Sequence, residues 1–199
     1  IIISTGMASI KEIEESVKVA KKNGAKKIIL LKCSSNYPAR PEDMNLKTLT
    51  KMKKKFNCEI GLSDHTLGIG SSIAAVTLGA RLIEKHFTLS KKFNTVDSSF
   101  SLEPDEMKKL VDETLVAWKS IGNVTYSISN YEKNSKKFRR SLYFIKDLKK
   151  NEKIKINDIK AIRPGFGAPT KYYNNVIGKK VNRNVARGTA LKLNYLKKI

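Results

Sequence analysis

Four short apolar runs, each followed by a stretch of helical periodicity, organise the first 121 residues of the chain. The runs are III at 1–3, IILL at 28–31, EIGL at 59–62 and RLIE at 81–84. Strands that are joined through helices lie parallel, and their crossovers are right-handed. Residues 1–121 are therefore predicted to form an α/β domain, built either as an open doubly wound sheet or as a barrel.

The helical stretches have recognisable ends. In the first stretch, Ser9 and Glu12 predict a capping box, and Gly24 marks the stop. Pro104 suits a first helical turn, because the N–H that proline lacks would have no partner there. The three later helices are predicted at about 45–55, at about 70–79 and from Pro104 to Ser120.

The pattern changes after Gly122. Residues 122–138 are polar and aperiodic, which is typical of a linker. From residue 139 to residue 199, turn signals separate short alternating runs. These runs lie at 141–145, 153–156, 159–164 and 179–185. The sequence predicts a small β-rich second domain with a limited core of its own.

Composition excludes several function classes. The net charge is +22, but most of the basic residues are lysines scattered along the chain, and no nucleic-acid-binding motif accompanies them. No apolar stretch is long enough to span a bilayer. The two cysteines, Cys33 and Cys58, have no metal-binding spacing and are predicted to be reduced thiols. We therefore expect a cytoplasmic protein that binds neither nucleic acid nor membrane.

Polar residues follow every apolar run, at the ends where parallel α/β folds collect their function. His65 and His86 are the only two histidines, and one strand–helix unit separates them. Their strands are expected to be neighbours, about 4.8 Å apart. Two imidazoles at matched strand ends can converge on one divalent ion such as manganese, iron or zinc. The alternative is a pair of hydrogen-bonded structural histidines.

Two other stretches could meet anions. Ser4, Thr5 and Gly6 precede a helix capped at Ser9, which would suit a phosphate cradle or an ordinary turn. RPGFG at 163–167 is a turn of the second domain, or a rigid loop that presents Arg163 to an anion or amide.

Taken in order, several segments resemble the sialic-acid synthase family of nonulosonate synthases. These segments are STGMAS, LLKCSSNYPA, DMNL, GLSDHTLG, IEKHFTL, DSSFSLEPDE, RRSLY and IRPGFG. Within that family, KCSSNYPA, DSSFSLEP and FRRSLY are most similar to the pseudaminic acid synthases. The resemblance covers essentially the whole chain.

The resemblance implies a fold and an assembly. Members of the family have a TIM (β/α)8 barrel followed by a small antifreeze-like (SAF) domain, and they work as domain-swapped homodimers. With four strand–helix units, the chain would correspond to the second half of the barrel, residues 1–121, followed by a linker and a SAF domain over 139–199. The 199 residues alone are expected to be inactive.

The resemblance also implies a reaction. Phosphoenolpyruvate condenses with a 2,4-diacetamido-2,4,6-trideoxy hexose to give a nonulosonic acid and phosphate. A divalent metal assists, with Mn²⁺ expected and Mg²⁺ or Co²⁺ as alternatives. The alternative functions are an N-acetylneuraminate or legionaminic acid synthase, and a catalytically incomplete binding fragment of such an enzyme.

By motif, the resemblance assigns roles to nine residues. His65 and His86 would be the metal ligands, and Asp97 would meet the polar groups of the sugar beside the metal. Ser4 and Ser63 would contact phosphate. The phosphoenolpyruvate site would also include Tyr37, with Ser35 and Asn36 before it, although this chain has Ser35 where sialic-acid synthases place an asparagine. Arg163 would extend into the partner's site to contact the acyl-amino group.

Overall fold

A computed structural model describes residues 1–197 of the chain. Two compact units make up this structure. The first is Ile1–Val124, and the second begins at Thr125. No helix within the described residues is both long enough and apolar enough to cross a bilayer.

A four-stranded parallel sheet forms the centre of the first unit. Its strands are β1 (Ile2–Ser4), β2 (Ile29–Cys33), β3 (Glu59–Asp64) and β4 (Leu82–Lys85). Their order in the sheet is the order in the chain. Right-handed crossovers between successive neighbours all place their helices on the same face. A doubly wound sheet would instead reverse its order at a switch point. The barrel alternative is therefore confirmed.

Four helices accompany these strands, as the periodicity predicts. They are α1 (Ile10–Lys22), α2 (Thr48–Phe56), α3 (Gly70–Thr77) and α4 (Pro104–Ile121). The predicted capping box is present in α1, where Ser9 N donates to Glu12 Oε2 at 2.7 Å and Glu12 N donates to Ser9 Oγ at 3.3 Å. The second helix begins later than predicted. Asn45 is left-handed, with φ 46°, and separates α2 from a 3-10 turn over Pro41–Met44.

The main core of the first unit lies between the sheet and its helices. Alternate strand residues supply one side of it, among them Leu30, Ile60 and Leu62, which are fully buried. Helical residues at 3.6-residue spacing supply the other side. These are Ile13, Val17, Leu49, Met52 and Phe56. This matching of the two periodicities explains why the helices pack on one face.

The opposite face of the sheet is concave. Ser4 Oγ on β1 lies 3.4 Å from Glu84 Oε1 on β4, although these strands are the two edges of the sheet. In a flat sheet the edges would be about 14 Å apart, which is three strand spacings and more than two such side chains can bridge. The missing side chain at Gly61 leaves room for Leu31, whose Cδ2 would lie 2.5 Å from an added Cβ. The first unit is therefore a curved half-barrel.

The second unit is built on an antiparallel pair. Strand β5 (Ser141–Phe144) pairs with β6 (Ile159–Ile162). The predicted strands at 153–156 and 179–185 are present only as isolated bridges, which include Lys153 with Lys180 and Val181 with Leu196. A 3-10 turn at Ile156–Asp158 interrupts the first of them, because the Asp158 carboxylate accepts from Lys155 N at 2.7 Å.

The segment predicted to be a linker contains two short helical elements. Helix α5 (Asn130–Lys133) has a capping box between Ser129 and Glu132, and a 3-10 turn follows over Asn134–Phe138. Helix α6 (Tyr173–Val176) lies further along the second unit. The apolar periodicity of the segment does not predict α5. The start of this helix is defined by side-chain capping and not by an apolar face.

Candidate active site

The two histidines lie side by side at the carboxyl edge of the sheet. Asp64 and Lys85 are register partners on β3 and β4, and each is followed directly by one of the histidines. The centroids of the His65 and His86 rings are 5.1 Å apart. The parallel register therefore brings together two residues that are 21 positions apart in the sequence.

The hydrogen bonding of His65 fixes its tautomer. The ring is buried, and its Nδ1 lies 2.8 Å from the carbonyl oxygen of Ser34. A carbonyl oxygen can only accept, so the proton of this bond is on Nδ1. Nε2 then carries the available electron pair of the neutral ring. That nitrogen can bind a metal ion or accept a proton.

His86 has a carboxylate neighbour. Its ring is partly exposed, and Nδ1 lies 3.5 Å from Asp97 Oδ2. Histidines that bind metals commonly direct their other nitrogen to a carbonyl or carboxylate oxygen, which orients the ring. His65 faces a carbonyl and His86 faces a carboxylate. Asp97 therefore lies beside Nδ1 of His86, and Nε2 of that ring remains available to another partner.

Two further aromatic rings frame the histidines. The Tyr37 centroid lies 4.1 Å from that of His65 and 6.0 Å from that of His86. The Phe100 centroid lies 5.0 Å from that of His86. Tyr37 is about half exposed whereas Phe100 is buried, so the cluster has one open side. Sequence reasoning missed Phe100, although it stands in the DSSFSLEP segment that carries the family resemblance.

A buried ion pair lies directly beside the histidines in sequence. Lys85 Nζ is 3.0 Å from Asp64 Oδ2, and both side chains are essentially inaccessible to solvent. Oδ2 also accepts from Ser72 Oγ at 2.6 Å, and Oδ1 accepts from Thr66 N at 2.9 Å and from Thr66 Oγ1 at 2.7 Å. Sequence reasoning missed this cluster. The available signal was an acid before one histidine and a base before the other.

The predicted phosphate contacts lie at the same edge of the sheet. Ser4 ends β1, and its hydroxyl meets Glu84, the register partner of the buried Ser63. Ser35 packs against Gly6, where an added Cβ would lie 3.1 Å from its Oγ. Asn36 is exposed in the same loop as Tyr37.

Arg163 belongs to the second unit and is exposed. The loop that carries it is held by Ser141, whose Oγ donates to Pro164 O and accepts from Gly167 N, both at 2.8 Å. Gly167 has no room for a side chain, because an added Cβ would overlap the carbonyl oxygen of Leu142. The loop therefore presents Arg163 from a fixed backbone.

The segment that carries Asp97 is anchored at its far end. Lys91 Nζ donates to Glu106 Oε2 at 2.8 Å, and Glu103 N donates to the same oxygen at 2.9 Å. Lys91 N donates to Glu103 Oε1 at 2.8 Å. The hydrogen bond from Lys91, and then that from Glu103, lower the pKa of the Glu106 carboxyl below its ordinary value. These bonds tie residues 91–93 to the start of α4.

No group of three or more His, Cys, Asp or Glu side chains within residues 1–197 is arranged to hold a metal ion. The donor chemistry of the pair still fits a divalent ion, because two imidazoles are available and His65 has its Nε2 electron pair free. The remaining coordination positions of such an ion would belong to water or substrate, as in sites that bind a reactant.

Comparison with known proteins identifies the half-barrel. Residues 1–126 match the NeuB family, and residues 139–197 match the SAF domain. The chain belongs to the NeuB family. Both expectations from the sequence motifs, the family and the antifreeze-like second domain, are therefore confirmed.

Several curated relatives carry the names of synthases. A pseudaminic acid synthase of Campylobacter jejuni is 41% identical over 191 residues, which is 96% of this chain and 56% of the relative. An N,N'-diacetyllegionaminic acid synthase of the same organism is 43% identical over 187 residues, or 92% of this chain and 56% of the relative. The chain thus spans little more than half the length of these relatives.

Solved structures show the same fold. The N-acetylneuraminic acid synthetase of Leptospira borgpetersenii, crystallised with citrate, has a TM-score of 0.62 and 39% sequence identity. The alignment covers 67% of this chain and 47% of that protein. This solved structure is therefore similar to the chain in sequence as well as in fold.

Proposed function

We propose that the chain is part of a nonulosonic acid synthase of the pseudaminic acid type. The reaction joins phosphoenolpyruvate to a 2,4-diacetamido-2,4,6-trideoxy hexose and releases phosphate. The observation that carries this proposal is the pairing of His65 and His86 at one sheet edge, within the segment that matches the NeuB family. The names of the relatives support a nonulosonic acid as the product.

The choice of sugar rests on sequence motifs. KCSSNYPA, DSSFSLEP and FRRSLY favour the pseudaminic type. The identity of 43% to a legionaminic acid synthase makes that product the second candidate, and N-acetylneuraminate is a third. Both diacetamido sugars offer the same set of functional groups, so the stereochemistry of the sugar is the property that distinguishes the first two.

A divalent ion between the two imidazoles is part of the proposal. Mn²⁺ is the proposed ion, with Mg²⁺ and Co²⁺ as alternatives. The chemistry that the ion supplies when bound is Lewis-acid polarisation of the aldehyde oxygen of the sugar. His65 would hold it through Nε2, because Nδ1 is engaged by Ser34. Asp97 would orient His86 and, in addition, accept a hydrogen bond from a sugar hydroxyl.

The remaining proposed roles use side chains around the pair. Ser4 and Ser63 would contact the phosphate, and Tyr37, with Ser35 and Asn36, would border the phosphoenolpyruvate. The Tyr37 ring stands over His65 at 4.1 Å and can shield the reacting groups from water. In a condensation of this kind the methylene carbon of phosphoenolpyruvate attacks the aldehyde carbon, and the aldehyde oxygen takes up a proton to become a hydroxyl. Water adds to the neighbouring carbon that bears the phosphate oxygen and gives up its protons. The bond from that carbon to the phosphate oxygen then breaks, which leaves a 2-keto acid and releases phosphate.

The assembly is also a proposal. Arg163 would contact the acyl-amino group of a sugar bound to a partner subunit in a domain-swapped homodimer. An exposed guanidinium on a fixed loop suits such a contact, since its planar donors match carbonyl and carboxylate oxygens. The chain by itself is proposed to be inactive, because it matches only 56% of the length of the synthases.

Phosphate release tests the proposal. The chain is co-expressed with the segment of the Campylobacter jejuni pseudaminic acid synthase that the 191 matched residues leave out. Release from phosphoenolpyruvate is then measured with Mn²⁺ and each sugar. We expect release with the 2,4-diacetamido-2,4,6-trideoxy hexose that has the stereochemistry of the pseudaminic acid precursor, and its loss in His65→Ala. Release only with the legionaminic acid precursor would indicate the second candidate. Release only with N-acetylmannosamine would indicate an N-acetylneuraminate synthase. No release from a folded assembly with any sugar would leave a binding fragment as the function.

A further inference from the structure

We propose that Asp64 and Lys85 are positioning residues that set the spacing and orientation of the two histidines. They occupy paired positions at the ends of β3 and β4, and His65 and His86 are the residues that directly follow these two strands. A contact between the two side chains therefore acts one residue away from each imidazole. This inference deepens the proposed function. Only the part of the inference that concerns metal binding rests on that proposed function.

The ion pair joins three elements at the point where the histidines begin. Lys85 comes from β4, Asp64 from β3, and Ser72 from the first turns of α3. The pair lies on the helix side of the sheet, because Asp64 has the same strand parity as Ile60 and Leu62. The pair can therefore hold the strand ends together without occupying the concave side. The histidines have the opposite parity and lie on that side.

Asp64 also restrains the residue on the far side of His65. Its Oδ1 accepts both from the amide and from the hydroxyl of Thr66, and Lys85 Nζ donates to Thr66 O at 2.5 Å. The contacts of the Asp64 carboxylate and the Lys85 ammonium group therefore restrain both neighbours of His65, which are Asp64 itself and Thr66. The bond from Nδ1 to Ser34 O then sets the rotation of the ring.

A purely structural role predicts different behaviour from a positioning role. A buried pair could simply contribute to the stability of the sheet, and removing one partner would leave an uncompensated charge that unfolds the region. Removing both charges together avoids that penalty. If the pair only stabilises the fold, the two imidazoles should keep their geometry in any double variant that still folds.

The chain has only two histidines, so spectra of the protein labelled selectively in histidine contain two imidazoles. The full 199-residue chain is compared with the double variant Asp64→Asn/Lys85→Met by NMR. We expect the wild type to show ring-to-ring Overhauser contacts and a protonated Nδ1 on His65. The folded double variant should lose the ring-to-ring contacts. Retention of the ring-to-ring contacts in that variant would overturn the inference.

Mn²⁺ is the second probe. The concentration that broadens both imidazole signals should rise by about 10- to 100-fold in the double variant, the range typical for loss of residues that orient metal ligands. The matched control is Lys55→Met/Glu14→Gln, which removes an exposed ion pair between α2 and α1 and should change neither readout. If Mn²⁺ broadens neither ring of the wild type, the metal part of the proposed function fails while the ring contacts still decide the positioning role.

Milder variants cover the case in which the double variant does not fold. Ser72→Ala removes one donor to Asp64 and leaves the ion pair in place. Lys85→Arg keeps the positive charge. We expect weaker ring-to-ring contacts in Ser72→Ala than in the wild type, and contacts close to those of the wild type in Lys85→Arg. Ring contacts that are identical in all of these folded variants would contradict the proposal.

Discussion

The Nδ1 atom of His65 lies 2.8 Å from the carbonyl oxygen of Ser34. This relationship joins the loop after β2 to the residue after β3 and leaves Nε2 as the reactive nitrogen of the ring. Nδ1 serves the packing of the loop, and Nε2 serves the binding of an ion. A suitable substitution at position 65 can therefore change one of these properties without the other.

We expect His65→Asn to keep the first property and lose the second. The asparagine amide can donate to Ser34 O from nearly the position of Nδ1, but it has no group where Nε2 was. The free energy of unfolding should change by no more than about 1 kcal/mol, whereas Mn²⁺ affinity should fall by at least about 100-fold. Urea denaturation and Mn²⁺ titration measure the two quantities. Unchanged affinity would refute the role of Nε2.

The lowered pKa of the Glu106 carboxyl predicts how the stability of the protein depends on pH. Its lowered pKa means that its contribution to stability is present above its ordinary pKa of 4.5 and is lost as the pH falls through the lower, folded-state value. At neutral pH, Glu106→Gln should be less stable than the wild type by under about 1 kcal/mol, since the pair with Lys91 is partly exposed. The gap should close as the pH drops below 4.5.

Urea denaturation of both proteins across this pH range measures the gap. Glu113→Gln, a substitution of an exposed glutamate on the same helix, is the matched control. A gap at Glu106 that widens toward acid pH would have the wrong sign for this explanation.

Gly61→Ala should destabilise the half-barrel. An added Cβ would overlap the carbonyl oxygen of Leu82 and lie 2.5 Å from Leu31 Cδ2, and the backbone atom cannot move away without disturbing the pairing of β3 with β4. We expect a loss of about 1–3 kcal/mol in the free energy of unfolding, typical of overpacking. Gly70→Ala, where no atom lies within 4 Å of the added carbon, should be neutral or slightly stabilising. Equal effects at both sites would contradict the packing argument.

Tyr143→Phe should stabilise the second unit. Among residues 1–197, no hydrogen-bond partner lies within reach of the buried Tyr143 Oη. Removing a hydroxyl that is desolvated without a partner should raise the free energy of unfolding by up to about 1 kcal/mol. In the control Tyr173→Phe, a bond from Oη to Ile156 O at 3.1 Å is lost, so stability should not rise. A decrease for Tyr143→Phe would show that the hydroxyl has a partner.

Local sequence signals were sufficient for much of the half-barrel. The four apolar runs correspond to the four strands within a residue or two, and the capping box at Ser9 and Glu12 marks the start of α1. The proximity of His65 to His86 followed from strand geometry alone. These features depend on periodicity and chain order, which a single sequence contains.

Other features required long-range information. The same strand–helix pattern fits a doubly wound sheet or a barrel, and only the strand order decides between them. The partnership of Asp64 with Lys85 depends on the register of two strands and on their parity, which direct both side chains toward the helices. In the second unit, isolated bridges replace two expected strands, and a 3-10 turn at Ile156–Asp158 interrupts the first of them.

Pulsed electron paramagnetic resonance can count the histidine nitrogens that couple to Mn²⁺ bound to the full chain, and this count tests the proposed metal site most directly. If both histidines bind the ion, Mn²⁺ should couple to two imidazoles in the wild type and to one in either His65→Asn or His86→Asn. The absence of imidazole coupling in the folded wild-type chain, or an unchanged count in both variants, would contradict the claim that these two histidines form one metal site.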